Sequence, residues 1–407
     1  MIAVRDHHPA RQNADGPFQR AHVYVEGKDL YTLALKERGG KGDDRGIIGA
    51  QKLFHENRNY GKPLALSRGW TGLGMSLDDV SQKPHDRLAG VLSRELAEVN
   101  ALIRARMASE HAPRIPEVTA HLVEAGGKRL RPMLTLAAAR LCGYDGPFHI
   151  HLAATVEFIH TATLLHDDVV DESAQRRGRP TANLLWDNKS SVLVGDYLFS
   201  RSFQLMVETG SLRVLDILAD ASATIAEGEV LQLTAAQNLA TDESVYLQVV
   251  RGKTAALFAA AAEVGGVIAG AHEAHVDALR TYGDALGVSF QIVDDLLDYG
   301  GSADATGKNV GDDFRERKLT LPVIKAVARG DAEQRAFWTR VIEKGDQKDG
   351  DLEHALDLLA QHNAMADTKV EALAWAEKAK AALTVLPDDP IRGMLSDIAD
   401  YVVERIS

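Results

Sequence analysis

Two stretches of this sequence each place three aspartates within five positions, in the form DDxxD. They lie in HTATLLHDDVVDESAQRRG and in FQIVDDLLDYGG, and each follows a long apolar run. The aspartates are Asp167, Asp168, Asp171, Asp294, Asp295 and Asp298. Residues four apart nearly superimpose on one helix face, so the outer aspartates of each cluster should line up. Carboxylates held so close repel one another, which favours uptake of a proton or binding of a cation.

A magnesium site is the chemistry that these clusters favour. Their ligands are hard oxygens, and the chain has a single cysteine and no paired histidines beside them, which selects Mg²⁺ over zinc. Mg²⁺ is usually held by one or two carboxylates and completed by water and phosphate oxygens. Two such clusters flanking one cavity would therefore bind a diphosphate through the metal.

Basic residues near the clusters could bind further phosphate groups. Arginine matches the geometry of phosphate oxygens, while lysine acts as a compact point charge. They suggest two anion sites, one organised by metal and one by basic side chains alone. On the helical stripe of the first cluster, His160 and Thr163 precede Asp167. In the second cluster, Gln291 precedes Asp294. The basic residues, with Thr254 beside one of them, are Lys128, Arg129, Arg131, Arg176, Arg177, Lys253, Lys308 and Lys318.

Helices must position these residues. From about residue 84 onwards apolar residues recur at spacings of three and four, and glycines punctuate the segments. No proline occurs between Pro180 and Pro322. There is no series of alternating strands and hairpins. The pattern predicts one all-α domain of many packed helices, with an ordinary globular composition of 45% hydrophobic and 26% charged residues.

Residues 1–74 differ from the rest of the chain. They contain 12 Lys and Arg against 8 Asp and Glu, and 11 of the 34 glycines, without a persistent helical period. A packed domain is not expected there. We interpret 1–74 as a mobile extension or translated upstream sequence without a role in the chemistry, and 75–407, beginning at Met75, as the catalytic domain.

Composition excludes several classes of protein. A net charge of −12 disfavours nucleic acid as a partner. No charge-free apolar run reaches the roughly 18 residues of a transmembrane helix. The single Cys142 excludes an internal disulfide and is interpreted as a small buried hydrophobic residue. A reducing cytoplasm is therefore the expected location.

From about residue 85 to 407 the chain resembles the trans-polyprenyl diphosphate synthases, the head-to-tail elongators of isoprenyl chains. The resemblance rests on six stretches in the family's usual order: GGKRLRP, HTATLLHDDVVDESAQRRG, GDYLFSR, RGKTA, FQIVDDLLDYGG and GKNVGDDFRERKLTLP. It implies the type I isoprenoid synthase fold, with helices around a deep central cavity, usually as a homodimer. It also implies isopentenyl diphosphate and an allylic diphosphate of farnesyl or geranyl type as substrates.

The resemblance implies a role for each candidate residue. Asp167 and Asp171 would ligate Mg²⁺ with Asp168 in support, and Asp294 would ligate a further ion with Asp295 and Asp298 nearby, about two to three ions in all. The allylic diphosphate would be held by Arg176, Lys253 and Lys318, with Lys308 a further substrate-binding candidate. Isopentenyl diphosphate would be held by Lys128, Arg131, His160 and Arg177. Thr254 and Gln291 would present oxygens towards the allylic carbon.

Product length follows from the same resemblance. In the family, bulk just before the first aspartate cluster blocks the growing hydrocarbon tail. Here those positions are the small Ala162 and Thr163, which implies a product of about eight to ten isoprene units, as in ubiquinone side chains. A peripheral membrane contact is expected for release of so apolar a product.

Three other functions remain open at this point. A class I terpene cyclase would share the first cluster but would not need an isopentenyl diphosphate site. A non-catalytic subunit of a heteromeric synthase would typically lack the aspartates. A di-iron carboxylate bundle needs two ExxH pairs, and only Glu157 with His160 forms one.

Overall fold

In the computed structural model the chain forms two compact units, Met1–Ser81 and Gln82–Ser407. The structure describes residues 83–124, 127–176, 178–300 and 311–406, together with the secondary structure of residues 2–5, 18–25, 29–37 and 45–52. The second unit contains both aspartate clusters.

The first unit contains an antiparallel sheet of four strands in chain order. The strands are β1 Ile2–Arg5, β2 Phe18–Val25, β3 Asp29–Glu37 and β4 Arg45–Lys52. The sequence analysis did not identify these strands, and its statement that a strand series is absent concerned the chain from about residue 84. Glycine-rich stretches of sequence surround these segments, and local spacing does not show which segments pair. That residues 1–74 have no role in the chemistry stays a prediction.

The second unit is helical, with one two-residue hairpin. Its first helices are α1 Pro84–Val91, α2 Ser93–Met107, α3 Arg114–Glu124, α4 Leu130–Leu141, α5 Phe148–Val170, α6 Ala182–Leu185, α7 Asn188–Glu208, α8 Leu212–Ala235 and α9 Glu243–Val250. They are followed by α10 Ala256–Ile268, α11 Glu273–Gly300, α12 Asp312–Arg315, α13 Leu321–Arg329, α14 Ala332–Trp338, α15 Asp351–Gln361, α16 Ala364–Ala382 and α17 Pro390–Glu404. The hairpin pairs β5 Gln175–Arg176 with β6 Arg179–Pro180.

Several helices begin at a side chain that accepts a backbone N–H of the first turn. Asp187 starts α7, Ser211 starts α8 and Asp242 starts α9 in this way. Each such cap satisfies a donor that the helix leaves open and is worth about 1 kcal/mol. The sequence therefore sets these helix starts locally.

The core lies around α11, which packs against α10 on one side and α16 on another. α10 also packs against α4, and α5 packs along α7. Close approach of α11 to α10 depends on Gly283, because a Cβ there would lie 2.4 Å from the carbonyl oxygen of Phe258. The all-α fold that the sequence predicts for this unit is confirmed.

Within the described residues, every helix is too short or too polar to cross a membrane. Cys142 is half-buried, and burial raises the pKa of its thiol. The prediction that Cys142 is a small buried hydrophobic residue is thus confirmed only in part. The cytoplasmic location stays a prediction.

Candidate active site

The first aspartate cluster lies at the C-terminal end of α5, whose preceding turns are almost entirely buried. Its three aspartates differ in how deeply they are buried. Asp168 is fully buried, Asp167 is half-buried, and Asp171 caps the helix and is exposed. The outer two aspartates share a face as predicted, while the middle one points into the protein.

Asp168 is held by an arginine from the hairpin that follows α5. Nε and Nη2 of Arg176 donate to Oδ1 of Asp168 over 2.9 and 2.7 Å. Oδ2 of Asp168 is buried without a hydrogen-bond partner among the described residues. Asp168 therefore positions Arg176, a residue predicted to bind the allylic diphosphate.

The carboxyl of Asp167 is harder to ionise than an ordinary aspartate. Burial is the main cause that raises the pKa of its carboxyl; the ammonium of Lys253 lowers it and the carboxylates of Glu229 and Asp171 raise it, with a net pKa of about 7. The sequence predicts proton uptake from repulsion within the cluster. The direction is confirmed, but burial is the larger cause. A divalent cation would compensate for the same missing charge.

The outer aspartates of the second cluster bind protein groups. Oδ1 of Asp294 accepts a hydrogen bond from Nη2 of Arg405, 3.2 Å away in the C-terminal segment. Asp298 accepts the backbone N–H groups of Asp312 and Asp313 over 3.2 and 3.0 Å. Asp298 thus holds the start of α12, which carries the chain towards Lys318.

Asp295 is the buried middle member of the second cluster. Its Oδ2 accepts the hydroxyl of Tyr246 at 2.6 Å, and its Oδ1 accepts Nε2 of Gln291 at 2.9 Å. Oε1 of Gln291 in turn accepts the hydroxyl of Thr254 at 2.8 Å. Burial raises the pKa of Asp295 to about 7, although the hydrogen bonds from Tyr246 and Gln291 lower it.

A single π-helical turn, Arg251–Ala255, carries Lys253 and Thr254 between α9 and α10. It lies against α8 where two glycines meet, because a Cβ on Gly252 would approach Cα of Gly228 to 2.8 Å. The ammonium of Lys253 pairs with Glu229 of α8 at 3.0 Å. Such turns often occur at functional sites, where they aim neighbouring side chains differently.

The two clusters border the same region. Lys253 acts on Asp167 of the first cluster, while its neighbour Thr254 contacts Gln291 beside the second. Lys318, which follows the second cluster, lies 3.9 Å from Oδ2 of Asp171. Burial lowers the pKa of Lys318, but its hydrogen bond to Glu316 and the nearby carboxylates raise it overall, so it remains an ammonium ion.

A second basic group lies where the start of α4 meets α5. Nη1 of Arg131 lies 3.3 Å from Nε2 of His160, and its guanidinium carbon lies 4.3 Å from the ring centre of Phe258. Lys128 is exposed, with its ammonium 5.2 Å from the ring centre of Tyr401. Lys128, Arg131 and His160 are thus the basic side chains that would bind an anion without a metal.

Arg129 helps to shape this basic group. It adopts a left-handed conformation with φ 49° before α4 and donates to the buried carboxylate of Glu157. A cavity beside it is also lined by His160 and Arg176. This cavity borders residues predicted for both diphosphates.

The chain-length candidates differ in exposure. Ala162 is 1% exposed and belongs to the core, whereas Thr163 is half-buried and donates to the carbonyl oxygen of His160. Thr163 is therefore the better placed of the two to meet a ligand.

Arg177 and Lys308 lie outside the described residues, so their roles stay predictions.

Three residues of the site were missed by the sequence analysis: Tyr246, Glu229 and Arg405. Tyr246 lies seven positions before Lys253, two helical turns away, which is a spacing that could have revealed it. Glu229 follows the contact glycine of α8. Arg405 had no signal beyond being a basic residue near the end of the chain.

The donors fit magnesium in type. Among the described residues no three acidic, histidine or cysteine side chains converge on one point. Mg²⁺ needs only one or two carboxylates when substrate phosphates and water complete its shell. Asp167 and Asp171 at one side and Asp294 at the other meet that requirement.

Comparisons with known proteins agree on one family. The polyprenyl synthetase family model matches residues 112–359. The octaprenyl diphosphate synthase of Escherichia coli is 44% identical over 320 residues, which cover 79% of this chain and 98% of that protein. A solved decaprenyl diphosphate synthase from Rhodobacter capsulatus has 74% identity and a TM-score of 0.78, covering 80% of this chain and 100% of its own. A polyprenyl synthase from Caulobacter crescentus, solved with calcium and isoprenyl diphosphate, has 50% identity and a TM-score of 0.76, covering 79% and 98%.

Proposed function

The chain belongs to the polyprenyl synthetase family, and on that premise we propose that it is a long-chain trans-polyprenyl diphosphate synthase. It adds isopentenyl diphosphate units to an allylic diphosphate. The sequence prediction that this protein is a prenyltransferase is confirmed.

One observation carries the proposal. The adjacent Lys253 and Thr254 face the first and the second aspartate cluster respectively, so both clusters act on one substrate region. The contact of Arg131 with His160 supports a second anion site that is held by basic side chains. A reaction that joins two diphosphates, only one of which leaves, needs two sites of these different kinds.

Magnesium is the metal that the donors favour. Asp167, Asp171 and Asp294 would hold it, and two to three ions in all stays a prediction. When bound, Mg²⁺ neutralises charge that develops on the departing diphosphate.

The protein's own residues then account for the steps. Lys253, Lys318 and Arg176 stabilise the leaving diphosphate as the allylic C–O bond breaks. The oxygens of Thr254 and Gln291 face the resulting carbocation. Their neighbours are largely buried, which excludes water from it.

Carbon–carbon bond formation completes the cycle. Arg131, His160 and Lys128 hold isopentenyl diphosphate so that its double bond attacks the allylic carbon. The new tertiary cation loses a proton to the departed diphosphate, and a new allylic double bond forms. No side chain is consumed. The product is itself an allylic diphosphate, so it serves as the substrate of the next cycle.

The product is proposed to be about eight to ten units long, for a quinone side chain such as that of ubiquinone. Small side chains at Ala162 and Thr163 support this length, as do the long-chain names of the relatives. A farnesyl or geranyl diphosphate primer and a peripheral membrane contact for product release belong to the same proposal.

A homodimer is proposed on separate grounds. The antiparallel neighbours α7 and α8 carry apolar side chains that are 62–81% exposed in the single chain: Leu193, Val207, Leu212, Val230 and Leu233. Exposed apolar faces of this kind commonly pair with a second copy. Sedimentation of the wild-type chain should give twice the chain mass, and Val230→Arg should shift it towards the monomer.

The activity test uses the chain begun at Met75. With farnesyl diphosphate, isopentenyl diphosphate and Mg²⁺, chromatography should show polyprenyl diphosphates, and a chelator should abolish them. Turnover of farnesyl diphosphate without isopentenyl diphosphate would support a terpene cyclase instead. No elongation until a second protein is added would support a non-catalytic subunit.

A further inference from the structure

The second aspartate cluster is tied to a tyrosine that the chemistry described above does not use. Tyr246 lies in α9 and is 5% exposed, and its hydroxyl donates to Oδ2 of Asp295 at 2.6 Å. Asp295 is also 5% exposed. The two residues are 49 positions apart, so the contact joins two separate helices at the site.

The other oxygen of Asp295 determines how a carboxamide is oriented. A carboxamide has an oxygen that only accepts and an NH₂ that only donates. Nε2 of Gln291 donates to Oδ1 of Asp295 at 2.9 Å, so Oε1 of Gln291 faces the opposite way. There it accepts the hydroxyl of Thr254 at 2.8 Å. Four side chains thus form one directed chain of hydrogen bonds.

Tyr246 determines which oxygen of Asp295 accepts the amide of Gln291. Its hydroxyl occupies Oδ2 and leaves only Oδ1 of Asp295 for Gln291. Without the hydroxyl, Oδ2 would be buried without a donor, and the carboxylate or the amide would rotate to satisfy it. Rotation of the amide would release the hydroxyl of Thr254 and turn the dipole of Gln291.

We propose that Tyr246 is a positioning residue for elongation, which acts through Asp295 to keep the oxygen of Gln291 directed towards Thr254 and the reacting carbon. The inference rests on the proposed function. It assigns Asp295 to orientation of the amide, while Asp294 beside it remains the metal ligand.

The test compares two buried tyrosines that each lose a single hydrogen bond. Tyr246→Phe removes the donor to Asp295. The matched control, Tyr282→Phe, removes a donor to the backbone carbonyl of Leu395 at 2.8 Å, in the same long helix as Asp295 but away from the site. We expect kcat for elongation to fall about tenfold in Tyr246→Phe and to stay within about twofold of wild type in Tyr282→Phe.

Binding should separate positioning from general damage. Because Tyr246 touches neither diphosphate, the dissociation constant of a non-reactive farnesyl thiodiphosphate, measured by calorimetry, should change less than about twofold. A double-mutant cycle with Gln291→Met identifies the route. In that background Tyr246→Phe should have no further effect on kcat, because the amide is already gone.

Three results would overturn the inference. The first is a wild-type kcat in Tyr246→Phe, the second an equal loss in both tyrosine variants, and the third an undiminished loss in the Gln291→Met background. Absence of elongation by the wild-type chain in the same assay would overturn the proposed function, and the inference with it.

Discussion

Asp168 and Asp295 occupy the second position of their clusters, and each is buried beside a donor from the protein. Asp168 binds Arg176, and Asp295 binds Tyr246 and Gln291. The outer residues Asp167 and Asp171 instead lie nearer to solvent. At the scale of single residues, each middle carboxylate therefore orients a protein group, and in the first cluster the outer carboxylates are the ones left for the proposed metal.

The pair of Asp168 and Arg176 makes an asymmetric prediction. Arg176→Met leaves a fully buried carboxylate without its donor and should lower the free energy of unfolding by about 3 kcal/mol. Asp168→Asn keeps an accepting oxygen of the same shape and should cost only about 1 kcal/mol. Urea unfolding followed by far-ultraviolet circular dichroism measures both. Equal losses would show that the pair is not the source of the stability.

At the scale of elements, the site depends on how closely backbones approach. Gly252 of the π-helical turn meets Gly228 of α8, and Gly287 of α11 meets Ala255 at the end of that turn. These contacts hold the turn between two helices. They place Lys253 on one side and Thr254 on the other.

A pair of glycine variants tests this. Gly252→Ala would bring a Cβ within 2.8 Å of Cα of Gly228, so it should destabilise by about 1–3 kcal/mol and lower activity by displacing Lys253. Gly393→Ala, in α17, meets nothing within 4 Å and should stabilise by about 0.5–1 kcal/mol without a change in kcat. Thermal unfolding and steady-state kinetics measure the two effects. Normal stability of Gly252→Ala would contradict the close contact.

Helix α10 makes a prediction that depends on pH. Burial raises the pKa of Glu263 in the folded state, despite the nearby Arg280 and Arg213. A raised carboxyl pKa means that ionisation is harder in the folded protein, so stability is lost as pH rises through that pKa. Glu263→Gln should therefore match wild type near about pH 4 and be more stable near about pH 8.

Glu273 is the control, because the trend there should be reversed. The hydrogen bond from Arg213 lowers the pKa of Glu273 at the start of α11. Its stabilisation is present above the ordinary carboxyl pKa and is lost as pH falls. Glu273→Gln should therefore be slightly less stable than wild type at about pH 8 and equal to it at low pH. Thermal unfolding across this range tests both variants, and the same sign for both would contradict the assignment.

At the scale of the whole molecule, the path of the growing chain decides the product. Thr163 lies one helical turn before Asp167 on the same face of α5, about 6 Å along the helix from this proposed metal ligand. Ala162 lies on another face and is already packed in the core. Bulk at Thr163 should thus reach the hydrocarbon tail more directly.

Thr163→Phe should therefore shorten the products by several isoprene units while the chain stays folded. Ala162→Phe forces a ring into a filled position and should lower stability by about 1–3 kcal/mol, with or without a change in length. Reversed-phase chromatography of the dephosphorylated products gives the length, and thermal unfolding gives the cost. Unchanged products from Thr163→Phe would place the end of the tail path elsewhere.

The sequence by itself determined the class of helical fold, the two aspartate clusters and most of the basic residues. These features are local: apolar spacing predicts helices, and residue type with spacing predicts metal and phosphate chemistry. The strands of the first unit were not predicted, because their pairing joins segments that no local pattern connects.

Only the tertiary structure decided which aspartate of each cluster is buried and what binds it. The contact of Tyr246 with Asp295 spans 49 residues, and that of Arg405 with Asp294 spans 111. Local spacing carries no information about such pairs, because they arise from how whole helices pack. Burial raises the pKa of Asp167, and the hydrogen bond to Asp295 orients Gln291.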